Sequence, residues 1–360
     1  MNSPLHDELV AQGGQYSTTH DRAAPDHFGD PLAEYEAARQ TAAILDRSAL
    51  SKIELRGRDR VKFLHNLCTN DIKGLAPGRG CEAFVTNVQG KIMAYIRVFA
   101  GAESIWIDTV PGASAPLLAH FDRYLIMEKV ELADRTADFA QVLLVGPRVK
   151  EIVSAAAESA VPDLRPLEHL DVSIAGAACR LICNGALGVP AYELLVPAGH
   201  APATWQRVWQ TGQPIGLRPM GEQAYHILRV EAGLPVFGAD IDESNLPQEI
   251  GRDKLAISFT KGCYLGQETI ARIDALGHVN RHLVGIALPD HHVPPAPGVP
   301  ISAGGKTVGT VTSTTQSPAL NCAIALGYVR RGLEKPGSEL IIESLGQQLR
   351  AAIRLLPFQK

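Results

Sequence analysis

The stretch Lys261-Gly262-Cys263-Tyr264-Leu265-Gly266-Gln267-Glu268 gathers the residue types best suited to nucleophilic or redox chemistry in this chain. Two glycines four apart frame a cysteine, a lysine stands two residues before it, and a helix-like run from Gln267 to Ile273 follows. Glycine lets the backbone bend sharply or approach a ligand closely. A nearby cation and a helix N-terminus both favour thiolate over thiol. Cys263 is therefore the candidate functional thiol and Lys261 its supporting charge. Gln267 and Glu268 are expected to hold the loop at the helix start. The same pattern also suits a small apolar cysteine buried in a turn.

The remaining cysteines, Cys68, Cys81, Cys179, Cys183 and Cys322, fall on an apolar helix face or in strand-like runs and read as structural. Cys179 and Cys183 share one face of a strand, but no second pair or nearby histidine completes the four ligands that zinc usually takes. No metal site is expected. No full Gly-x-x-x-x-Gly-Lys-Thr/Ser phosphate-binding loop occurs, and no Gly-x-Gly-x-x-Gly follows a strand and opens a helix.

These residues must be positioned by a mixed set of elements. Asp30-Pro31 offers an N-cap and a first-turn proline for a helix running to about Leu45. Lys52 to Arg56 alternates as a strand, Val61, Leu64, Leu67 and Cys68 fit a helix face, and Cys81 to Val110 reads as a three-strand meander. Helices are expected over 113–126 and 147–160, and strands over 128–133, 139–145, 169–174, 178–183 and 192–196. Two further helices span 200–210 and 221–232. After Arg281 short β-rich runs alternate with Pro/Gly turns, which suits a small antiparallel barrel or sandwich. The fold class is α+β with a β-rich C-terminal domain. Residues 1–29 are polar and aperiodic and read as a flexible lead-in, followed by an α+β region over 30–280 and the β domain over 281–360.

Composition narrows the function classes. The chain has 360 residues, 46% hydrophobic and 20% charged, so a largely disordered chain is excluded. A formal charge of −4 supplies no global basic field, so direct nucleic-acid binding is not expected. No apolar run is long enough to span a bilayer and the N-terminus lacks a secretory core, so no membrane association is expected. Sparse, irregular cysteines suit a reducing cytoplasm.

The octapeptide resembles the Lys-Gly-Cys-Tyr/Phe-x-Gly-Gln-Glu signature of the YgfZ family, with all seven fixed positions matched. That family is a branch of the folate-binding superfamily that includes the glycine-cleavage T-protein, an aminomethyltransferase. Phe63-Leu64 with Thr69-Asn70-Asp71, the run Leu228 to Pro235, Gly309 to Ser313, and Leu326-Gly327-Tyr328 resemble further superfamily segments, in the same order. The resemblance implies three lobes around a central folate channel: two interleaved α+β lobes over 30–280 and a C-terminal antiparallel barrel over 281–360. It implies tetrahydrofolate or a derivative as cofactor. Glu193 of Tyr192-Glu193 would bind the pterin, since a carboxylate can accept a ring N–H and an exocyclic amine in parallel. Arg229 would meet the anionic tail, and Tyr225 would line the folate site. Leu50 matches a second lining position but lacks the aromatic ring.

By the same resemblance, the chain is expected to be a folate-binding accessory protein. It would support maturation or repair of iron–sulfur enzymes, including tRNA-modifying ones, with iron–sulfur client or assembly proteins as partners. The alternative is a tetrahydrofolate-dependent aminomethyl- or methyltransferase. The T-proteins place two carboxylates on the second meander strand, and the matching positions here are Ala94 and Tyr95. Neither side chain can replace a carboxylate in polarising an amine.

Overall fold

The computed structural model describes residues 3–17 and 24–358. The chain divides into two compact units. Unit 1 comprises Met1–Phe63, Ile72–Cys81 and Ile96–Tyr225, and unit 2 comprises Leu64–Asp71, Glu82–Tyr95 and His226–Lys360.

Unit 1 contains a six-stranded sheet in the order Leu217–Pro219, Ala42–Asp46, Phe139–Val145, Ala191–Pro197, Ala177–Cys183 and His169–Ile174. Only the Ala42–Asp46 and Leu217–Pro219 pair is parallel. A second sheet contributes Ser104–Thr109, Ser51–Arg56, Glu131–Asp134 and residues 96–100 of the strand Ile92–Ala100 to this unit. Phe99 and Trp106 of the second sheet pack against Ile182 and Leu195 of the first. The two sheets therefore share an interior, and inward-facing residues alternate along each strand.

Most expected elements are present near their expected positions, with three differences. The helix opening at Asp30 has the expected cap, since the Asp30 carboxylate accepts from the Leu32 and Ala33 N–H groups, but it ends at Gln40. Residues Ala42–Asp46 instead form an entirely buried strand. A strand covered on both faces reads as a continuous apolar run, which periodicity cannot separate from a buried helix. The 61–68 helix stops at His65, and Cys68 leaves it to bridge Val85.

The third difference is the 1–29 lead-in. Its residues 1–2 and 18–23 lie outside the described residues. The rest is not loose: helix His6–Ala11 sets Leu5 and Leu9 into the unit 1 core at 0% exposure, and Gln15 bridges His27. Two apolar residues four apart suffice for one short helix face, too little to register as a periodic segment.

Unit 2 carries a closed six-stranded barrel in the order Arg281–Leu288, Cys322–Arg330, Lys306–Ser317, Pro300–Ala303, Glu339–Ser344 and Gln347–Arg354. Closure leaves no free sheet edge, and Ile286, Ile301, Ala325 and Ile342 fill its core. Helix Gln267–Leu276 follows the cysteine loop. Among the described residues, no helix is long and apolar enough to cross a membrane.

Candidate functional site

The interior of unit 1 holds a layer of charge between its two sheets. Asp108 lies opposite Arg97 on one neighbouring strand and opposite Lys52 on the other, so the three side chains share a sheet face. Arg97 makes two forked pairs. Its Nε and Nη2 donate to Asp108 Oδ1 and Oδ2 at 2.8 and 2.5 Å, and its Nη1 and Nη2 donate to Glu193 Oε1 and Oε2 at 2.6 and 2.8 Å. Glu193, only 3% exposed, comes from the six-stranded sheet. Asn184 Nδ2 donates to Glu193 Oε1 at 2.5 Å, and Gln141 Nε2 donates to both Glu193 Oε2 and Asp108 Oδ2. Each Glu193 oxygen thus accepts two internal donors.

This arrangement drives the two acids apart. Burial alone would raise the Glu193 carboxyl, but the Arg97 charge and the hydrogen bonds from Arg97, Gln141 and Asn184 outweigh it, so Glu193 is held below the usual carboxylate range. At Asp108 burial wins over Arg97, the Glu193 charge adds to it, and the carboxyl is raised. Lys52, 1% exposed, donates from Nζ to the Ser48 and Leu50 carbonyls at 2.9 and 2.8 Å. Burial lowers it to about 8 despite the nearby Asp108, Asp46 and Glu193 charges. Two carboxyl groups with opposed shifts beside a depressed lysine are the electrostatic pattern of a functional site.

One acceptor in this layer is unmet. Gln141 is 1% exposed, and its Oε1 has no hydrogen-bond partner among the described residues.

Tyr192, next to Glu193 on the same strand, points to the opposite face of the sheet from this layer. Tyr192 is buried in the core of the six-stranded sheet. Tyr225 lies beneath Arg47, whose guanidinium carbon is 4.2 Å from the ring centroid, and Arg47 donates to Glu222 at 3.0 Å.

In unit 2, Arg229 is engaged internally. It donates to Asp240 Oδ2 at 2.6 Å and to Ser313 Oγ at 2.7 Å. Lys261 is buried, and its Nζ donates to the carbonyls of His65, Cys68 and Asn70 at 2.5, 2.7 and 2.9 Å. The same turn is tied by Thr69 Oγ1 to the Ala256 carbonyl and by Asn70 Nδ2 to the Leu255 carbonyl. Lys261 thus serves the Thr69-Asn70-Asp71 turn, and its charge bears on Cys68, a buried thiol that desolvation pushes up to about 11.

Cys263 is exposed and free. Tyr264 is buried and packs its ring 4.7 Å from Lys261 Nζ. Gln267 Oε1 accepts from the Tyr264 N–H at 3.3 Å, and Glu268 stands in the first turn of the helix. Gly262 has nothing near its Cβ direction. Gly266 is required: its φ is +80°, and a Cβ there would sit 2.5 Å from the Asn87 carbonyl oxygen.

Tyr95, at one of the two positions where the sequence resemblance placed a carboxylate, donates to Glu82 Oε2 at 2.5 Å. Arg252 grips the same carboxylate through Nε and Nη2 at 2.8 and 2.5 Å, and Tyr95 stacks on Phe84. Its phenol is a committed donor. Ala94 is buried.

Arg97, Asp108, Gln141, Asn184 and Lys52 were not singled out from the sequence. A signal existed for two of them. Gln141 is the one polar residue in Ala140-Gln141-Val142-Leu143-Leu144, and Arg97 interrupts Ile96-Arg97-Val98. A polar side chain inside an apolar strand needs buried partners. Among the described residues, no group of three or more His, Cys, Asp or Glu side chains is placed so that it could hold a metal ion.

Comparison with known proteins agrees with this architecture. Residues 5–261 match the GCVT N-terminal domain, and residues 281–360 match the glycine cleavage T-protein C-terminal barrel domain. An aminomethyltransferase of Thermosynechococcus vestitus is 30% identical over 357 residues, covering 99% of this chain and 94% of that protein. An aminomethyltransferase of Geobacillus kaustophilus is 29% identical over 337 residues, covering 93% and 92%. The crystal structure of glycine cleavage system aminomethyltransferase T from Bartonella henselae superposes with a TM-score of 0.91 at 20% identity, covering 100% of this chain and 98% of that one, and so shares its fold. The sheets, the closed barrel and the two domain matches together make this chain a member of the glycine cleavage T-protein family.

Proposed function

We propose that this protein binds tetrahydrofolate against the polar layer of unit 1 and takes part in one-carbon transfer. The observation that carries the reading is Glu193, a buried carboxylate held ionised by Arg97. A reduced pterin presents N–H donors on one edge, and an ionised carboxylate is the acceptor such an edge requires. A ligand N–H would replace one of the four internal donors now on Glu193. Gln141 Oε1, an acceptor without a donor, fits the same kind of ligand. Family membership and the aminomethyltransferase relatives support the folate and the transfer.

Tetrahydrofolate, when bound, supplies the nitrogen that carries the one-carbon unit. The chain's own contribution is binding and charge: Arg97 fixes Glu193, and Asp108 offers a raised carboxyl in the same layer. Ala94 and the committed phenol of Tyr95 offer no carboxylate on their strand. The aminomethyl donor of glycine cleavage is therefore expected to react slowly, and a one-carbon donor that needs no carboxylate there is favoured.

A second reading rests on Cys263, exposed and free within its octapeptide. It is folate-dependent support of iron–sulfur enzymes through that thiol. The two readings separate in one experiment: the protein is given tetrahydrofolate and an aminomethylated lipoyl carrier, and ammonia release is measured beside calorimetric binding. Binding with slow turnover fits the transferase. Binding with none above background, together with Cys263-dependent rescue of iron–sulfur enzymes in a deletion strain, favours the second. Absence of tetrahydrofolate binding removes both.

A further inference from the structure

Two carboxamides hold Glu193 by their NH2 groups, and they differ at the other end. Asn184 Oδ1 accepts the Ala186 N–H at 2.9 Å, so that side chain is satisfied. Gln141 Oε1 is buried and meets no donor. An inverted amide would not cure this. The nitrogen faces Glu193 Oε2, which Arg97 holds ionised and which can therefore only accept; a flipped amide would set its carbonyl oxygen against that anion, so the NH2 stays on the carboxylates and the carbonyl points away. The backbone is fixed as well: the Gln141 N–H donates to Ser48 Oγ at 3.1 Å and its carbonyl accepts the Arg47 N–H at 2.7 Å. Buried polar atoms are nearly always paired; of the eleven unpaired side-chain atoms among the described residues, this one lies on an immobilised side chain inside a charged layer, bonded to the carboxylate proposed to hold the ligand.

We propose that Gln141 is a specificity-determining residue of the folate site, its Oε1 accepting a hydrogen bond from an N–H of the bound pterin. This rests on the tetrahydrofolate reading above and adds a second acceptor to it. Glu193 takes one donor of the ligand's N–H edge, and Gln141, oriented by Glu193 and Asp108, takes another. A neutral carbonyl beside an anion selects a ligand edge carrying two donors over one that alternates donor and acceptor, because the latter would set two acceptors face to face.

The test is a double-mutant cycle read by calorimetric titration of tetrahydrofolate into wild type, Gln141→Met, Glu193→Gln and the double variant, with melting temperatures confirming that each is folded. Gln141→Leu replaces Gln141→Met if the latter does not fold. Direct acceptance predicts about tenfold weaker binding for Gln141→Met, and a further loss, smaller because the two side chains share a hydrogen bond, when it is added to Glu193→Gln. Unchanged affinity in Gln141→Met overturns the proposal, the orphan oxygen then being met by a buried water. A loss that vanishes in the Glu193→Gln background also overturns it, since Gln141 would then act only by orienting Glu193. Wild type that fails to bind tetrahydrofolate removes the underlying folate reading along with it.

Discussion

Replacing Arg97 by leucine tests whether the inner layer of unit 1 is an electrostatic unit. Arg97 donates to both oxygens of Asp108 and to both oxygens of Glu193, at 2.5 to 2.8 Å. Without it, two buried carboxylates face each other with the Gln141 amide and Lys52 nearby. Removing one partner of a buried ion pair costs about 3–5 kcal/mol, mostly the penalty of the charge left behind. At about 1.4 kcal/mol per pKa unit, that corresponds to roughly two to four units of upward shift shared by the two acids. The sign of the pH dependence follows. In wild type Glu193 is depressed, so its contribution is present above the unfolded carboxylate value and is lost as the pH falls through its lowered folded value. Asp108 is already raised and opposes this, its contribution being lost as the pH rises through its raised value. In Arg97→Leu both acids are raised, and both favour the folded state as the pH falls. The deficit relative to wild type should therefore be largest near pH 8 and shrink toward pH 5. Urea unfolding followed by tryptophan fluorescence is the assay, because Trp106, Trp205 and Trp209 all belong to unit 1. Adding Asp108→Asn and Glu193→Gln to Arg97→Leu should recover much of the loss. A deficit below about 1 kcal/mol, or one that does not change with pH, would mean that Arg97, Asp108 and Glu193 do not act as one electrostatic unit.

Three other outcomes follow from the same structure. Lys52 is lowered to about 8, so between that value and its unfolded value near 10.5 the unfolded chain holds the extra proton. Its contribution to stability should rise with pH across that window, by at most about 3 kcal/mol, and Lys52→Met should abolish the rise. Leu9→Ala should cost about 2–5 kcal/mol of unit 1 stability, because Leu9 is fully buried; a change within experimental error would return the segment to a loose lead-in. Iodoacetamide should label Cys263 first of the six cysteines by peptide mass spectrometry, since Cys263 is exposed while Cys68 and Cys179 are buried and pushed up to about 11; equal rates would contradict the exposed thiol loop.

The barrel after Arg281 was legible in the sequence because short β-rich runs alternate there with Pro/Gly turns and no helical period appears, and the meander was legible from strand-like runs set off by turn residues. Ala42–Asp46 was not, because a strand buried on both faces carries no period. The octapeptide stood out by composition, yet its lysine could not be read correctly from spacing. Lys261 lies two residues from Cys263 in the chain, but its amine is bound by carbonyls at His65, Cys68 and Asn70, nearly two hundred residues earlier in sequence. Glu193 was found through family resemblance, and the four donors on it were invisible because Arg97, Gln141 and Asn184 come from three separate strands or turns. Asp108 sits near a strand end with no local signal of a role, and only the pairing with Arg97 and Lys52 turns it inward. Local pattern reports which face a residue occupies, while charge partners across a sheet interior are set by topology.

On the proposed folate reading an ionised Glu193 in unit 1 holds tetrahydrofolate, and calorimetric titration of tetrahydrofolate into wild type and Glu193→Gln decides whether it does. Loss of a charged acceptor is worth about 1.5–3 kcal/mol, so the variant should bind roughly ten- to a hundred-fold more weakly while remaining folded. Equal affinity in the two proteins would mean that Glu193 does not hold the pterin, and no binding by wild type would remove the folate site.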